Sequence, residues 1–152
     1  MRPLLAITLI TAMALGNANA NTDVAPADVT IGADLQIAQS LTASAGDATT
    51  GRDVFMNRKL GNCLACHANA DMAEQPFHGE VGPTLDGVGA RYPEGLMRTV
   101  LVNAKKVFGD QTIMPGFYVT DPGARTAEKF AGKTILSAQQ IEDVIAYLQT
   151  LK

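Results

Sequence analysis

The stretch Cys63-Leu64-Ala65-Cys66-His67 constrains the chain more than any other. Two cysteines separated by two residues and followed at once by histidine form the attachment pattern of a c-type haem. Each thiol adds to one of two neighbouring vinyl groups on the porphyrin edge. One helical turn between the cysteines matches the vinyl separation. The histidine is then carried under the ring, where its imidazole can ligate iron. The sequence holds no third cysteine, so both thiols are used and none is left to react. A redox dithiol needs a βαβ context that does not follow here. A structural zinc site needs four ligands, and no second pair is present. A disulfide leaves the adjacent histidine unexplained.

Residues 1–20 read as a signal peptide that is removed. Arg2 supplies the positive start, Leu4 to Leu15 the apolar run, and Ala18-Asn19-Ala20 the cleavage pattern. The run is too short to span a bilayer, so the reading is export to the periplasm, with an uncleaved anchor as the alternative. Thioether attachment takes place outside the bacterial cytoplasm, which agrees. The remaining 132 residues carry 11 basic and 15 acidic side chains. That balance, made more acidic by haem propionates, argues against a nucleic-acid partner. The chain has no Trp, and the apolar face of a haem would supply the missing core.

Residues 21–46 form an extension. Ile31, Leu35, Ala38 and Leu41 recur at helical spacing and predict a short amphipathic helix. It either packs on its own domain, the favoured reading, or docks a partner. Thr50-x-x-Asp53 has the form of a capping box and predicts a helix running to about Lys59. Val54 and Phe55 face inward, and Gly61 ends the helix. This helix is expected to cross the C-terminal one, with Gly51 permitting close approach unless it merely marks a turn. Residues 68–80 read as a polar loop. His78 within it is a sixth ligand, a proton donor or, as favoured, a solvated side chain.

Residues 82–89 are punctuated by Gly and Pro. A ligating histidine donates its second N–H to a carbonyl or carboxylate, and Pro83, with its fixed φ, is the candidate acceptor. Arg91 and Tyr92 either reach a propionate or lie at the surface. Pro93 and Glu94 open a helix whose face holds Leu96, Met97, Val100 and Leu101. Lys105 and Lys106 form a docking patch at the haem edge or, as favoured, a solvated face. Ile113-Met114-Pro115 is the second landmark. Met56 and Met72 lie on the CxxCH side, and Met97 fits a core stripe. Met114, 47 residues beyond His67, has chain enough to reach the far face of the ring. It is therefore the distal ligand, with an unligated core Met as the alternative. Residues 118–133 are longer than a connection needs. Ser137-x-x-Gln140 is a capping box, and Ile141, Val144, Ile145 and Leu148 follow on one helical face, with Lys152 complementing the dipole.

The order of helix, CxxCH, Gly-Pro loop, helix, Met-Pro loop and long terminal helix resembles a class I cytochrome c. The fold class implied is all-α, a small helical domain from residue 47 to residue 152 around one covalent haem c. The runs Arg58-Lys-Leu-Gly-Asn-Cys-Leu-Ala-Cys-His67, Val102-Asn-Ala-Lys-Lys-Val-Phe108, Ile113-Met-Pro-Gly-Phe-Tyr118 and residues 77–92 and 140–151 are further similar to the SoxX family. These are small monohaem subunits of the SoxAX cytochrome of sulfur oxidation. The likeness covers about residues 46–152 and includes the 118–133 stretch.

The resemblance implies a periplasmic heterodimer with a SoxA-like monohaem or dihaem cytochrome. That pair joins thiosulfate oxidatively to a cysteine of a SoxYZ-like carrier, and electrons leave to a downstream acceptor. It also implies that Cys63 and Cys66 hold haem, that His67 and Met114 ligate iron, and that Pro83 orients His67. The catalytic thiolate would belong to SoxA, so this chain has an electron-transfer role and no catalytic residue. Two other functions compete: a freestanding soluble electron shuttle, and an enzyme such as a peroxidase, which needs an open distal position.

Overall fold

The computed structural model describes residues 23–121, 123 and 126–152. The segment read as a signal peptide lies outside them. Among the described residues there are five α-helices and four short 3-10 turns, joined by irregular backbone, and no strand. The α-helices are α1 (Ala48–Met56), α2 (Val88–Arg91), α3 (Glu94–Asn103), α4 (Lys105–Phe108) and α5 (Ala138–Thr150).

Helix α5 is the centre. Its start is closed by Ser137, whose Oγ accepts from Gln140 N at 3.2 Å, while Gln140 Oε1 accepts from Ser137 N at 2.9 Å. This reciprocal pair satisfies two donors that a helix start otherwise leaves unpaired. Ile141, Val144, Ile145 and Leu148 are buried, as their spacing predicts. Helix α1 crosses α5 at Gly51, where a Cβ would lie 1.9 Å from the Asp143 carbonyl oxygen. No residue but glycine fits that crossing, so the close-approach reading of Gly51 holds. Beside it Phe55 meets Tyr147 edge-on, ring centroids 5.5 Å apart.

Two helix starts differ from expectation. Helix α1 begins two residues before Thr50, because Asp47 is the cap: its carboxylate accepts from Thr50 N at 2.6 Å. The helix also stops at Met56, short of Lys59. Pro93 caps α3 from outside instead of occupying its first turn. Met97 is buried core, as read from its stripe, whereas Leu96 and Val100 are half-buried.

The helix expected over residues 31–41 does not form. Leu35 adopts φ +61° and stays 42% exposed, and the one helical turn lies earlier, at Pro26–Asp28. Of the four residues in that spacing only Leu41 is buried, Ile31 packs partly against the core, and Leu35 and Ala38 are exposed; the segment runs irregularly across the domain and inserts Leu41 and Ile37 into the core. Its backbone is pinned to distant side chains. Ile37 N donates to Thr99 Oγ1 at 3.1 Å, Leu41 N donates to Glu142 Oε1 at 2.8 Å, and the Ile37 carbonyl accepts from Arg98 Nη1 at 2.8 Å. Arg98 itself is 2% exposed and forms a two-pronged pair with Glu142, at 2.8 Å on each oxygen. It also holds Glu94. No buried side-chain nitrogen or oxygen of this knot lacks a partner, which is the condition for burying charge. The extension therefore packs on its own domain, as favoured, but without a helix.

Candidate functional site

The CxxCH stretch follows a tight reversal. Leu60 N and Asn62 N both return to the Asn57 carbonyl, and Asn62 takes φ +49°. Cys63–Ala65 is a single 3-10 turn, closed by the Cys66 and His67 amides donating to the Cys63 carbonyl at 3.1 and 3.0 Å. Leu64 points into the core, Cys66 is exposed and Cys63 is half-buried. Burial pushes the Cys63 thiol up to about 12, so the unmodified sulfur there stays protonated and poorly reactive.

His67 Nδ1 lies 2.7 Å from the Pro83 carbonyl oxygen. A carbonyl can only accept, so Nδ1 carries the proton and Nε2 keeps its lone pair. Among the described residues Nε2 has no hydrogen-bond partner. The Gly-Pro loop reaches this position by three backbone bonds to the CxxCH segment. Gly79 N donates to Leu64 O at 2.7 Å, Gly82 N to Cys66 O at 2.8 Å, and Leu85 N to Ala68 O at 3.0 Å. At Gly82 the loop touches the imidazole: a Cβ there would sit 2.3 Å from His67 Cε1. At Gly79 a Cβ would sit 2.0 Å from the Ala65 carbonyl oxygen. The sequence marks Gly82 only as part of a Gly- and Pro-punctuated loop and does not single out Gly79; their contact with the histidine segment is decided by the loop's path.

Met114 is held separately. It is half-buried and packs against the core, while its neighbour Ile113 is 76% exposed. Upstream, Lys105 Nζ donates to the carbonyls of Asp110 and Thr112 at 3.1 and 3.0 Å. Lys105 thus braces the Met114 loop, whereas Lys106 is exposed, in keeping with the favoured solvated face. Downstream, Phe117 N and Tyr118 N return to Leu101 O and Val102 O. Arg91 donates from Nη2 to the Thr84 carbonyl at 2.9 Å, next to Pro83. Tyr92 is 44% exposed.

His78 is not the solvated side chain favoured from sequence. It is half-buried, its Nδ1 accepts from Asn69 N at 3.3 Å, and its Nε2 donates to Met72 O at 3.1 Å. Both ring nitrogens are spent on bracing the loop after the haem motif. The same loop is tied to α5 through Tyr147, whose hydroxyl accepts from Asn69 Nδ2 at 2.8 Å and donates to Asp71 at 2.7 Å. Burial pushes the Tyr147 phenol well above its ordinary range, so it remains a donor. Arg52 completes this bracing with contacts to Asp71 and Glu74 at 3.3 and 2.7 Å.

The donor set fits a covalent haem. Two sulfurs one turn apart, an imidazole with a free and correctly tautomerised nitrogen, and a glycine that leaves the ring unobstructed are what attachment and ligation require. No group of side chains among the described residues forms a separate metal-binding cluster.

The comparisons agree with this chemistry. Residues 48–152 match the family model described as cytochrome c. A chain of the crystal structure of SoxXA from P. pantotrophus is 39% identical, with a TM-score of 0.77; the match covers 86% of this chain and 98% of that one. The c-type cytochrome SorU from Sinorhizobium meliloti is 27% identical, with a TM-score of 0.44, over 68% of this chain and 88% of that one. No curated protein matches.

Proposed function

The chain belongs to the cytochrome c family, as a SoxX-type member, and from that premise we propose that it is the electron-accepting subunit of a periplasmic thiosulfate-oxidising complex. Haem c supplies a one-electron iron couple. Cys63 and Cys66 would carry its thioethers, His67 would ligate iron through Nε2 with Pro83 holding its Nδ1–H, and Met114 would supply the thioether ligand. A His/Met pair with limited water access favours the reduced iron, so the site suits a sink for electrons leaving a sulfur centre. With both cysteines spent on the cofactor, the chain offers no thiol to attack thiosulfate or carry sulfur. The thiolate chemistry then falls to a SoxA-like partner, the sulfur carrier is SoxYZ-like, and a downstream acceptor takes the electrons. Residues 1–20 would direct export, and no described helix is long and apolar enough to cross a membrane.

One observation carries the reading: the likeness to a chain of a SoxXA structure extends over nearly all of that chain. Affinity purification from periplasm tests it. A stable 1:1 complex with a second cytochrome that has its own cysteine-ligated haem is expected. A protein that remains a monomer when both are co-expressed overturns the complex and leaves a freestanding shuttle.

A further inference from the structure

The hydrogen bond between His67 and Pro83 joins two segments that the chain brings together from sixteen residues apart. Backbone bonds align these segments, but one side chain grips both. Asp86 Oδ1 accepts from Ala70 N at 2.7 Å, three residues after His67. Asp86 Oδ2 accepts from Thr84 Oγ1 at 2.9 Å, one residue after Pro83. The Thr84 hydroxyl also faces the Ala68 carbonyl at 3.3 Å, directly after His67. From the other side Arg91 Nη2 holds the Thr84 carbonyl at 2.9 Å. The Pro83 carbonyl is thus flanked by a peptide fixed at its hydroxyl, its carbonyl and the next carboxylate.

We propose that Asp86, acting with Thr84, is a positioning residue that sets the His67–Pro83 hydrogen bond and through it the donor strength of His67 toward iron. The proposal rests on His67 being the axial ligand, as argued above. An imidazole that donates a short, fixed hydrogen bond from its far nitrogen is more basic and stabilises the oxidised metal. A carbonyl allowed to drift would weaken that bond and raise the potential. Pro83 fixes φ but not the position of its peptide relative to His67; the carboxylate supplies that second constraint. The Ala70 amide, followed by the Thr84 hydroxyl, holds the Asp86 carboxyl below its ordinary range, so the clamp is charged and accepts at both oxygens. Arg91 and His78 are the charged or titratable neighbours that act on it.

The test uses the holo-cytochrome. In the reduced, diamagnetic protein, NMR follows exchange of the His67 Nδ1 proton, and voltammetry gives the potential. Thr84→Val keeps shape and removes the hydroxyl; Asp86→Ala removes the whole grip; Thr84→Ser restores the hydroxyl. Exchange faster by roughly tenfold and a raised potential are expected for the first two, with near wild-type values for the third. If Thr84→Val and Asp86→Ala lower thermal stability but leave exchange and potential unchanged, the residues brace the loop only and the proposal fails. Should Asp86→Ala not accumulate with haem, Thr84→Val decides alone. Failure of the underlying reading is seen separately, because wild type would then show no axial-histidine signal.

Discussion

Gly82 shows how a single residue governs the site. Its missing side chain is what lets the loop lie against the imidazole of His67. Gly82→Ala is expected to rotate His67 or push Pro83 away, since a Cβ at 2.3 Å has no room. The optical spectrum and potential of the holo-protein report it, and unchanged values of both would show that the loop yields freely. Met114→Ala opens the sixth position if Met114 is the distal ligand. It should abolish the sulfur-to-iron absorption and lower the potential by on the order of 0.1 V, because axial ligands span most of the haem range. An unaltered spectrum would assign ligation to another group. Residue type and spacing mark Cys63, Cys66, His67 and Met114. They do not mark Thr84, Asp86 or Gly82, whose contacts come from neighbours far along the chain.

Among the elements, the crossing of α1 over α5 concentrates the fold's steric demand. Backbone meets backbone at Gly51, and again at Gly46, where a Cβ would lie 2.2 Å from the Glu142 carbonyl oxygen. Gly51→Ala should cost about 1–3 kcal/mol by forcing the helices apart; chemical denaturation measures it, and a change within error would mean the crossing can relax. The Arg98–Glu142 pair joins α3 to α5 and to the extension. Arg98→Ala leaves Glu142 buried without its partner, and a loss of about 3–5 kcal/mol is expected. A much smaller loss would mean that water reaches Glu142. Helical spacing and capping residues make α3 and α5 readable in advance. The extension misleads for a physical reason: its helical spacing is incidental, because Leu35 and Ala38 of that spacing are exposed while Ile37, outside it, is buried, and the path is set by backbone bonds to Thr99 and Glu142.

At the scale of the molecule, four carboxyls among the described residues are held below their ordinary range. Asp47 is held by the Thr50 amide, Glu74 by Arg52, Asp86 by the Ala70 amide and Glu94 by Arg98. Each binds its proton more weakly folded than unfolded. Their contribution is complete above the ordinary values of 3.8 for Asp and 4.5 for Glu and disappears as pH falls through the lowered ones. The urea midpoint should therefore drop between about pH 5 and pH 3, and a flat midpoint there would contradict these pairings.

The amino-acid order by itself determined what is covalent and what is local: a haem-binding pair of thiols, an adjacent imidazole, a Met-Pro loop, and helices announced by caps and by 3.6-residue periodicity. Those signals are legible because their partners lie within a turn or two. Tertiary structure alone decided where the extension runs, why Arg98 is buried, what His78 and Lys105 brace, and how Asp86 bridges the segments bearing His67 and Pro83. Such contacts join residues separated by anything from a few positions to a hundred, and their geometry exists only once the chain has closed around its central helix.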